Sequence, residues 1–361
     1  MLRLVAYLPR PARNRNPILP SALTIMNMIT ITSRIRIGSR LNGSHLLPLL
    51  ALLSFFPTLR ASETPDRPSL IIVSGAAGEE EFGENFARWA RLWLANGERA
   101  GARVQAIGLA TNAAADDRTL LQRALAAELT NGPVELWIVL LGHGTYDGKA
   151  AKFNLRGPDV SSTDLAEWLK PLRRPVAVIN AASASAPFIN HLSASNRVIV
   201  TATRSGAEIN YARFGGFLSE AMADPAADLD KDGQTSLLEA YLIASRRTAD
   251  FYATEGRMLT EHALLDDNGD TLGTPADFFR GVRATKSAKA GAPLDGLRAH
   301  QWHLIRSQAE QKLSPEVRAR RDTLEQNIAR LRLRKASLAE DEYYQHLEVL
   351  LVELARLYQQ P

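Results

Sequence analysis

Five short runs rich in aliphatic and β-branched residues recur across residues 68–202, at 70–73, 103–108, 134–141, 175–180 and 197–202. A chain that alternates such runs with helical periods folds as an α/β protein, a parallel sheet flanked by helices. Between the first two runs, Phe82, Phe86, Trp89 and Trp93 stand at spacings of four, three and four, which places one aromatic stripe along a helix. A stripe of this kind reads as core. The next helix, 118–129, offers Leu121, Leu125 and Leu129 as a buried face, with Asp116 or Asp117 as its cap. In a doubly wound sheet the ligands sit at the carboxyl ends of the strands, so chemistry is sought there.

The segment ahead of this pattern is of another kind. Residues 1–61 hold eight of the 43 basic residues and none of the 39 acids, so the body is net negative despite the formal charge of +4. That balance removes the main support for a nucleic-acid partner. Arg34, Arg36 and Arg40 precede an apolar run at 46–56, followed by Pro57 and a small residue at Ala61. The order is that of a secretory signal peptide cut near Ala61, with Met26 or Met28 as alternative starts, and it predicts a periplasmic or secreted protein. The run is shorter than the roughly 20 residues a membrane-spanning helix needs, so no stable membrane span is expected once the leader is removed. With no cysteine in the chain, disulfides and thiolate metal sites are excluded. The expected organisation is a leader at 1–61, an α/β domain at 68–290 and a helical segment at 291–361.

The third run ends in Gly142, His143 and Gly144, and the fourth in Asn180 and small residues up to Phe188. A histidine at one strand end and a tight turn at the next face each other across a crevice, the arrangement of a base and a nucleophile. At this point the chain resembles the legumain-type cysteine peptidases of the caspase-like fold (clan CD), over roughly residues 69–281. His143 and Gly144 match the family's His-Gly pair after the third strand. Aligning Asn180, Ala181, Ala182 and Ser183 with the family's Glu, Ala, Cys, Glu puts Ala182 at the nucleophile position. A methyl group cannot attack a carbonyl, so the resemblance implies a degenerate site, an expected non-enzyme, and a peptide or protein segment as the crevice's partner. It also implies that the amides of Gly144 and Ala182 serve as oxyanion donors. A serine alternative stays open, with Ser183 or Ser185 working with His143, beside the reading of Ser183 and Ser185 as turn and cap residues. The resemblance also implies that the loop after the fifth run helps line a substrate pocket, with Arg204, Glu208, Asn210 and Arg213 as the candidates.

The strongest motif lies further on. Asp228, Asp230, Asp232, Gly233 and Glu239 match the EF-hand loop pattern D-x-D-x-D-G-x5-E at every fixed position. Three aspartates and a bidentate Glu239 supply carboxylate oxygens, Gln234 a carbonyl and Ser236 a water-mediated contact, so the expected cofactor is calcium. Pro225 ends the preceding helix, 214–222, before the loop begins, and this makes a single EF-like loop rather than half of a sensor pair. A shorter acidic stretch, Asp266 to Asp270, has Thr271 where glycine is required and reads as a polar turn first and a weak cation site second.

Beyond 291, leucines at helical spacing predict a hairpin over 315–359. Ser314 with Pro315 starts one helix, and Ser337 with Glu340 forms a capping box for the other. Leu324, Ile328 and Leu331 form one stripe, and Leu347, Leu350, Leu351, Leu354 and Leu357 the other. This helical tail is expected to pack on the body or on a partner protein, and a purely structural role through the tail is the third reading.

Overall fold

A computed structural model describes residues 67–110, 115–286 and 295–359. The chain divides into Met1–Thr58 and a compact unit, Leu59–Pro361; the leader expectation falls outside the described residues. The element order is β1 (Ser69–Ser74), α1 (Glu80–Arg99), β2 (Arg103–Ile107), α2 (Asp117–Ala126), β3 (Leu136–Leu141), β4 (Gly144–Tyr146), β5 (Ala151–Phe153), β6 (Val160–Ser161), α3 (Ser162–Leu169), β7 (Val176–Asn180), α4 (Ile189–Leu192), β8 (Arg197–Thr201), α5 (Phe214–Ala221), α6 (Leu237–Thr254), β9 (Leu264–Asp266), β10 (Thr274–Pro275), β11 (Phe279–Arg280), β12 (Arg283–Ala284), α7 (Leu297–Gln301), α8 (Gln308–Gln311), α9 (Pro315–Leu333) and α10 (Glu340–Leu357).

All five expected strands form, and the main sheet runs β10-β9-β8-β7-β3-β1-β2. β2, β1, β3, β7 and β8 are parallel, while β9 and β10 add antiparallel pairs at one edge. The mostly parallel sheet flanked by helices is the α/β architecture that the alternation predicts. Every residue of β1, β3, β7 and β8 is buried because both faces are covered, so these strands read as unbroken apolar runs. Leu70 and Ile72 face α1, α5 and α6, while Ile71 and Val73 face α2, α3 and α4. Each such side chain contributes about 1.5–3 kcal/mol by leaving water. From β1 the chain steps outward to β2 and then crosses back to β3 on β1's other side. The β1/β3 boundary is therefore the switch point, and its carboxyl end is where a crevice opens.

Close approach of backbone fixes the layer next to that crevice. A Cβ on Gly216 would come within 2.6–3.0 Å of the Trp89 ring, and one on Gly215 within 2.7 Å of the Ala181 methyl. Glycine at both positions lets α5 lie directly against α1 and the end of β7. Asp116 caps α2 by accepting from the Thr119 amide, one of the two caps considered.

Three local expectations are corrected. Leu129 is not part of a buried face: α2 stops at Ala126, and Leu129 is 54% exposed. Ser337 does not cap the second tail helix. It lies in a short 3-10 turn and donates to the Arg334 carbonyl, while Ala339 precedes α10 without a side-chain cap. Ser185 does not cap the helical turn that follows it, because its hydroxyl is drawn sideways to Thr203.

The tail does form a hairpin, α9 on α10, and Ser314 caps α9 as expected. Only Leu324, Leu331 and Leu354 of the expected stripes are fully buried, with Tyr343. Residues 295–307 pack into the body: Trp302 and Leu304 belong to the core on the α1 side, and Trp302 meets Trp137 at 6.4 Å. Among the described residues no helix is long and apolar enough to cross a membrane.

Candidate functional site

The turns after β1 and β3 meet at His143. His143 follows β3, and its Nε2 lies 3.1 Å from the carbonyl oxygen of Ala77. A carbonyl only accepts, so Nε2 carries the proton and donates, leaving the Nδ1 lone pair free. The ring is held edge-on by Phe82 and Phe86, each at 5.1 Å, and Tyr211 stands at 6.0 Å. Burial lowers the imidazole's affinity for a proton below its ordinary value, against the opposing Ala77 bond and Glu79 charge. His143 is therefore an oriented imidazole that favours the neutral form. The orienting group is a main-chain oxygen, which no side-chain pattern announces.

At the end of the neighbouring strand β7, Ala182 is buried on the α2–α4 side of the sheet, and its methyl lies 3.3 Å from where a Cβ on Gly144 would stand. The same Cβ would run into the Ser183 carbonyl, so only glycine fits beside the turn. The turn adopts a left-handed conformation at Ala184, φ 52°. Its polar groups are engaged internally. The Gly144 amide donates to the Ser183 hydroxyl at 3.2 Å, and that hydroxyl donates back to the Gly144 carbonyl at 3.2 Å. The Ala182 amide donates to Asn180 Oδ1 at 3.2 Å. Both amides that the resemblance makes oxyanion donors are thus occupied. Ser185 accepts from the amides of Ala202 and Thr203 and contacts the Thr203 hydroxyl at 3.2 Å, so it stitches β7 to β8. Neither serine hydroxyl is bonded to His143.

The four pocket candidates after β8 divide into two pairs. Glu208 holds His262 Nδ1 at 2.6 Å and pairs with Arg204, while its own carbonyl takes the Ala184 amide. This pair braces the turn from outside. Asn210 and Arg213 instead line a cavity of about 390 Å³ together with Tyr211, Arg257 and Thr260. Glu261, which no motif signals, is buried beneath it and accepts from the amides of Arg213 and Phe214 at 2.9–3.0 Å.

The acidic loop lies apart from the crevice, between α5 and α6. Asp228 ties the loop to itself, accepting from the Lys231 amide at 2.6 Å and the Gly233 amide at 3.1 Å. Lys231 and Gly233 take positive φ, 64° and 90°. Ligand oxygens of Asp228, Asp230 and Asp232 lie within 4.8 Å of one another, and so do ligand atoms of Asp230, Glu239 and His300. Burial and the Asp230 charge push Asp232 up to about 6. Like charges a few ångströms apart oppose closure, and a divalent cation reverses that sign. The three aspartates form a hard-oxygen donor set, which fits calcium, with the His300 nitrogen beside Asp230. Glu239 stands at the third position of α6 in a capping box with Ser236, and its oxygens also take the Leu229 and Asp230 amides at 2.7 and 3.3 Å. The Ser236 hydroxyl is engaged in that box, donating to Glu239 at 2.8 Å. The Gln234 side chain is turned away: its oxygen takes the Ser307 amide at 3.1 Å and its nitrogen donates to Asp232, which leaves its main-chain carbonyl as the group suited to a cation.

His300 was missed because it arrives from α7, some seventy positions later. Its Nε2 lies 3.1 Å from Asp230 Oδ2. Burial opposes its charge, but the Asp230 bond and the surrounding carboxylates outweigh this and raise its value. The Asp266–Asp270 stretch is a half-buried turn serving the same segment. Asp267 accepts from the Arg298 and Ala299 amides at 2.8 Å, and Asp295 holds the Asp267 amide at 2.9 Å.

No protein-family model matches the chain, and no curated protein matches it. Among solved structures it is similar to the Drosophila initiator caspase Dronc, at 15% identity and TM-score 0.38, over 56% of this chain and 80% of that one. It is also similar to caspase-1 from Spodoptera frugiperda, at 9% identity and TM-score 0.35, over 56% of this chain and 86% of that one. Protein GSU0716 from Geobacter sulfurreducens follows, at 11% identity and TM-score 0.34, over 50% and 89% of the two chains.

Proposed function

We propose that this chain is an exported, catalytically degenerate relative of the legumain-type peptidases that binds a peptide or protein segment in its crevice and holds one calcium ion in the loop from Asp228 to Glu239. One observation carries the reading. The residue at the family's nucleophile position is Ala182, whose methyl is buried, and the Gly144 and Ala182 amides are already bonded internally. The retained base and its Ala77 orienter support descent from a hydrolytic site, because a neutral oriented imidazole has no obvious use in a turn that is otherwise closed. Without an attacking atom, binding is what the crevice still offers.

When bound, calcium would supply positive charge that joins the three aspartates and draws the start of α6 down onto the loop. Asp228, Asp230 and Asp232 would hold it by carboxylate oxygens, and the loop pattern makes Glu239 and the Gln234 carbonyl its further ligands.

The functional test is a pool of fluorogenic peptides incubated with protein beginning at Ser62, with calcium and with chelator. The expected result is no turnover above buffer in either. Turnover abolished by both His143→Ala and Ser183→Ala would overturn the reading in favour of a serine hydrolase. Export is tested separately by intact-mass measurement on protein from the producing cell, where residues 1–61 retained in a soluble cytoplasmic species would remove it.

A further inference from the structure

The turn between β9 and β10 follows the same course as the acidic loop before α6, position by position. Asp266 stands where Asp228 does: its Oδ1 accepts the amide of Gly269, three residues on, at 3.1 Å, as Asp228 Oδ1 accepts that of Lys231. Asn268 accepts the Asp270 amide at 2.8 Å, as Asp230 accepts that of Asp232 at 3.3 Å. Asp270 accepts the Leu272 amide at 2.8 Å, as Asp232 accepts that of Gln234 at 3.0 Å. The fourth and sixth positions take positive φ in both, 64° and 90° at Lys231 and Gly233, 83° and 67° at Gly269 and Thr271. A threonine is thus held in the conformation for which the loop pattern calls on glycine, one that β-branched residues rarely adopt.

One contact differs, and it leaves an atom over. In the first loop the amide of the sixth residue, Gly233, donates to Asp228 Oδ2 at 3.1 Å. In the second, the Thr271 amide is drawn away to the Ser193 hydroxyl at 3.1 Å. Asp266 is 1% exposed, and its Oδ2, the oxygen that this amide would have met, has no hydrogen-bond partner among the described residues. A buried carboxylate oxygen left bare is costly, and a bound cation removes that cost. The surroundings are negative as well. Asp267 and Asp295 are buried alongside, and burial with the charges of Asp267 and Asp266 pushes Asp295 up to about 8. Both Asp295 oxygens are engaged elsewhere, on the Asp267 amide at 2.9 Å and the Thr274 hydroxyl at 2.6 Å.

We propose that the turn between β9 and β10 is a second calcium site, held by Asp266 Oδ2, the side-chain oxygens of Asn268 and Asp270, and the main-chain carbonyl of Leu272. Leu272 stands at the position of Gln234, and every donor is a hard oxygen. No acid closes the shell: Thr274 turns back to pair with Leu265, and Asp277, at the twelfth position, is exposed and paired with Lys286. Water completes the coordination. Lacking a bidentate acid, this site is the weaker of the two, with a dissociation constant of about 10⁻³ M, as in extracellular modules.

The experiment follows the backbone amide signals of isotope-labelled protein by NMR as calcium is raised from chelator to about 50 mM, well past that constant. The expected result is a saturable shift at Gly269 and Leu272, with a midpoint at least a hundredfold above that of Gly233. Asp270→Asn keeps an oxygen for the Leu272 amide and removes a charge at a half-buried position. It should raise the Gly269 midpoint at least tenfold and leave that of Gly233 unchanged. A Gly269 signal that does not move, or a midpoint equal in Asp270→Asn and wild type, overturns the second site. Gly233 and Gly269 shifting at a single midpoint would make the turn a follower of the first loop, and overturns it too. A still Gly233 beside a titrating Gly269 would remove calcium from the first loop and leave this site standing.

Discussion

The turn after β7 and the loop before α6 are both short, polar and rich in backbone strain, yet they differ in what their polar atoms do. In the turn from Asn180 to Ser185, the amides and hydroxyls at the crevice end on partners inside the protein: Ser183 on Gly144, Ala182 on Asn180, Ser185 on Thr203. In the loop from Asp228 to Asp232, carboxylate oxygens converge to within 4.8 Å of one another, with the Lys231 ammonium on the Asp228 carbonyl and His300 3.1 Å from Asp230. Donors and acceptors that satisfy one another set up no demand for an ion, whereas converging like charges do. Position in the fold alone would have given the opposite ranking, since the turn stands beside the switch point of the sheet.

The largest effect expected from this contrast is on stability. At free calcium a hundredfold above its dissociation constant, binding to the folded chain alone adds about 2.7 kcal/mol. Thermal melts in calcium and in chelator should differ for wild type and coincide for Glu239→Ala, which loses a ligand and the capping box together. Coincident wild-type melts would put the loop in the same class as the turn.

A smaller effect sharpens the contrast with two neighbouring histidines. His300 faces the loop's carboxylates, but His303 is buried away from them, and burial, with the charges of His300 and Arg321, pushes it down to about 3. Its folded value lies below the ordinary value near 6.5, so the unfolded chain binds a proton that the folded chain does not. Its contribution is complete above about pH 6.5 and is lost as pH falls towards 3, at up to about 1.4 kcal/mol per pH unit. Urea melts between pH 7 and 5 should show this slope, and His303→Gln should flatten it. An unchanged slope in the variant would place the titrating group elsewhere.

Much of this was legible in the sequence, for reasons that also explain what was not. The five strands and the aromatic face of α1 were visible because fully covered strands are unbroken apolar runs and a buried helix face repeats at helical spacing. Asp228 to Glu239 was visible because all its chemistry lies within twelve consecutive residues. The Ala77 carbonyl was invisible since a main-chain atom leaves no residue signature, and His300 and Glu261 were invisible since topology, not spacing, brings them in. Ser337 and Ser185 were misread as caps because the motif records a hydroxyl near a helix start and not the competing partner, Arg334 or Thr203, that takes it.

On this proposal His143 is kept as a base beside residue 182, where the attacking atom is missing. Since the chain has no cysteine, Ala182→Cys places a single thiol in the protein, and its alkylation by iodoacetamide can be followed by intact mass at pH 7. The account predicts labelling at least tenfold faster than in Ala182→Cys combined with His143→Ala, because a neutral imidazole at the crevice takes the thiol proton. Equal rates in the two variants would mean that His143 does not serve residue 182, and would contradict the account.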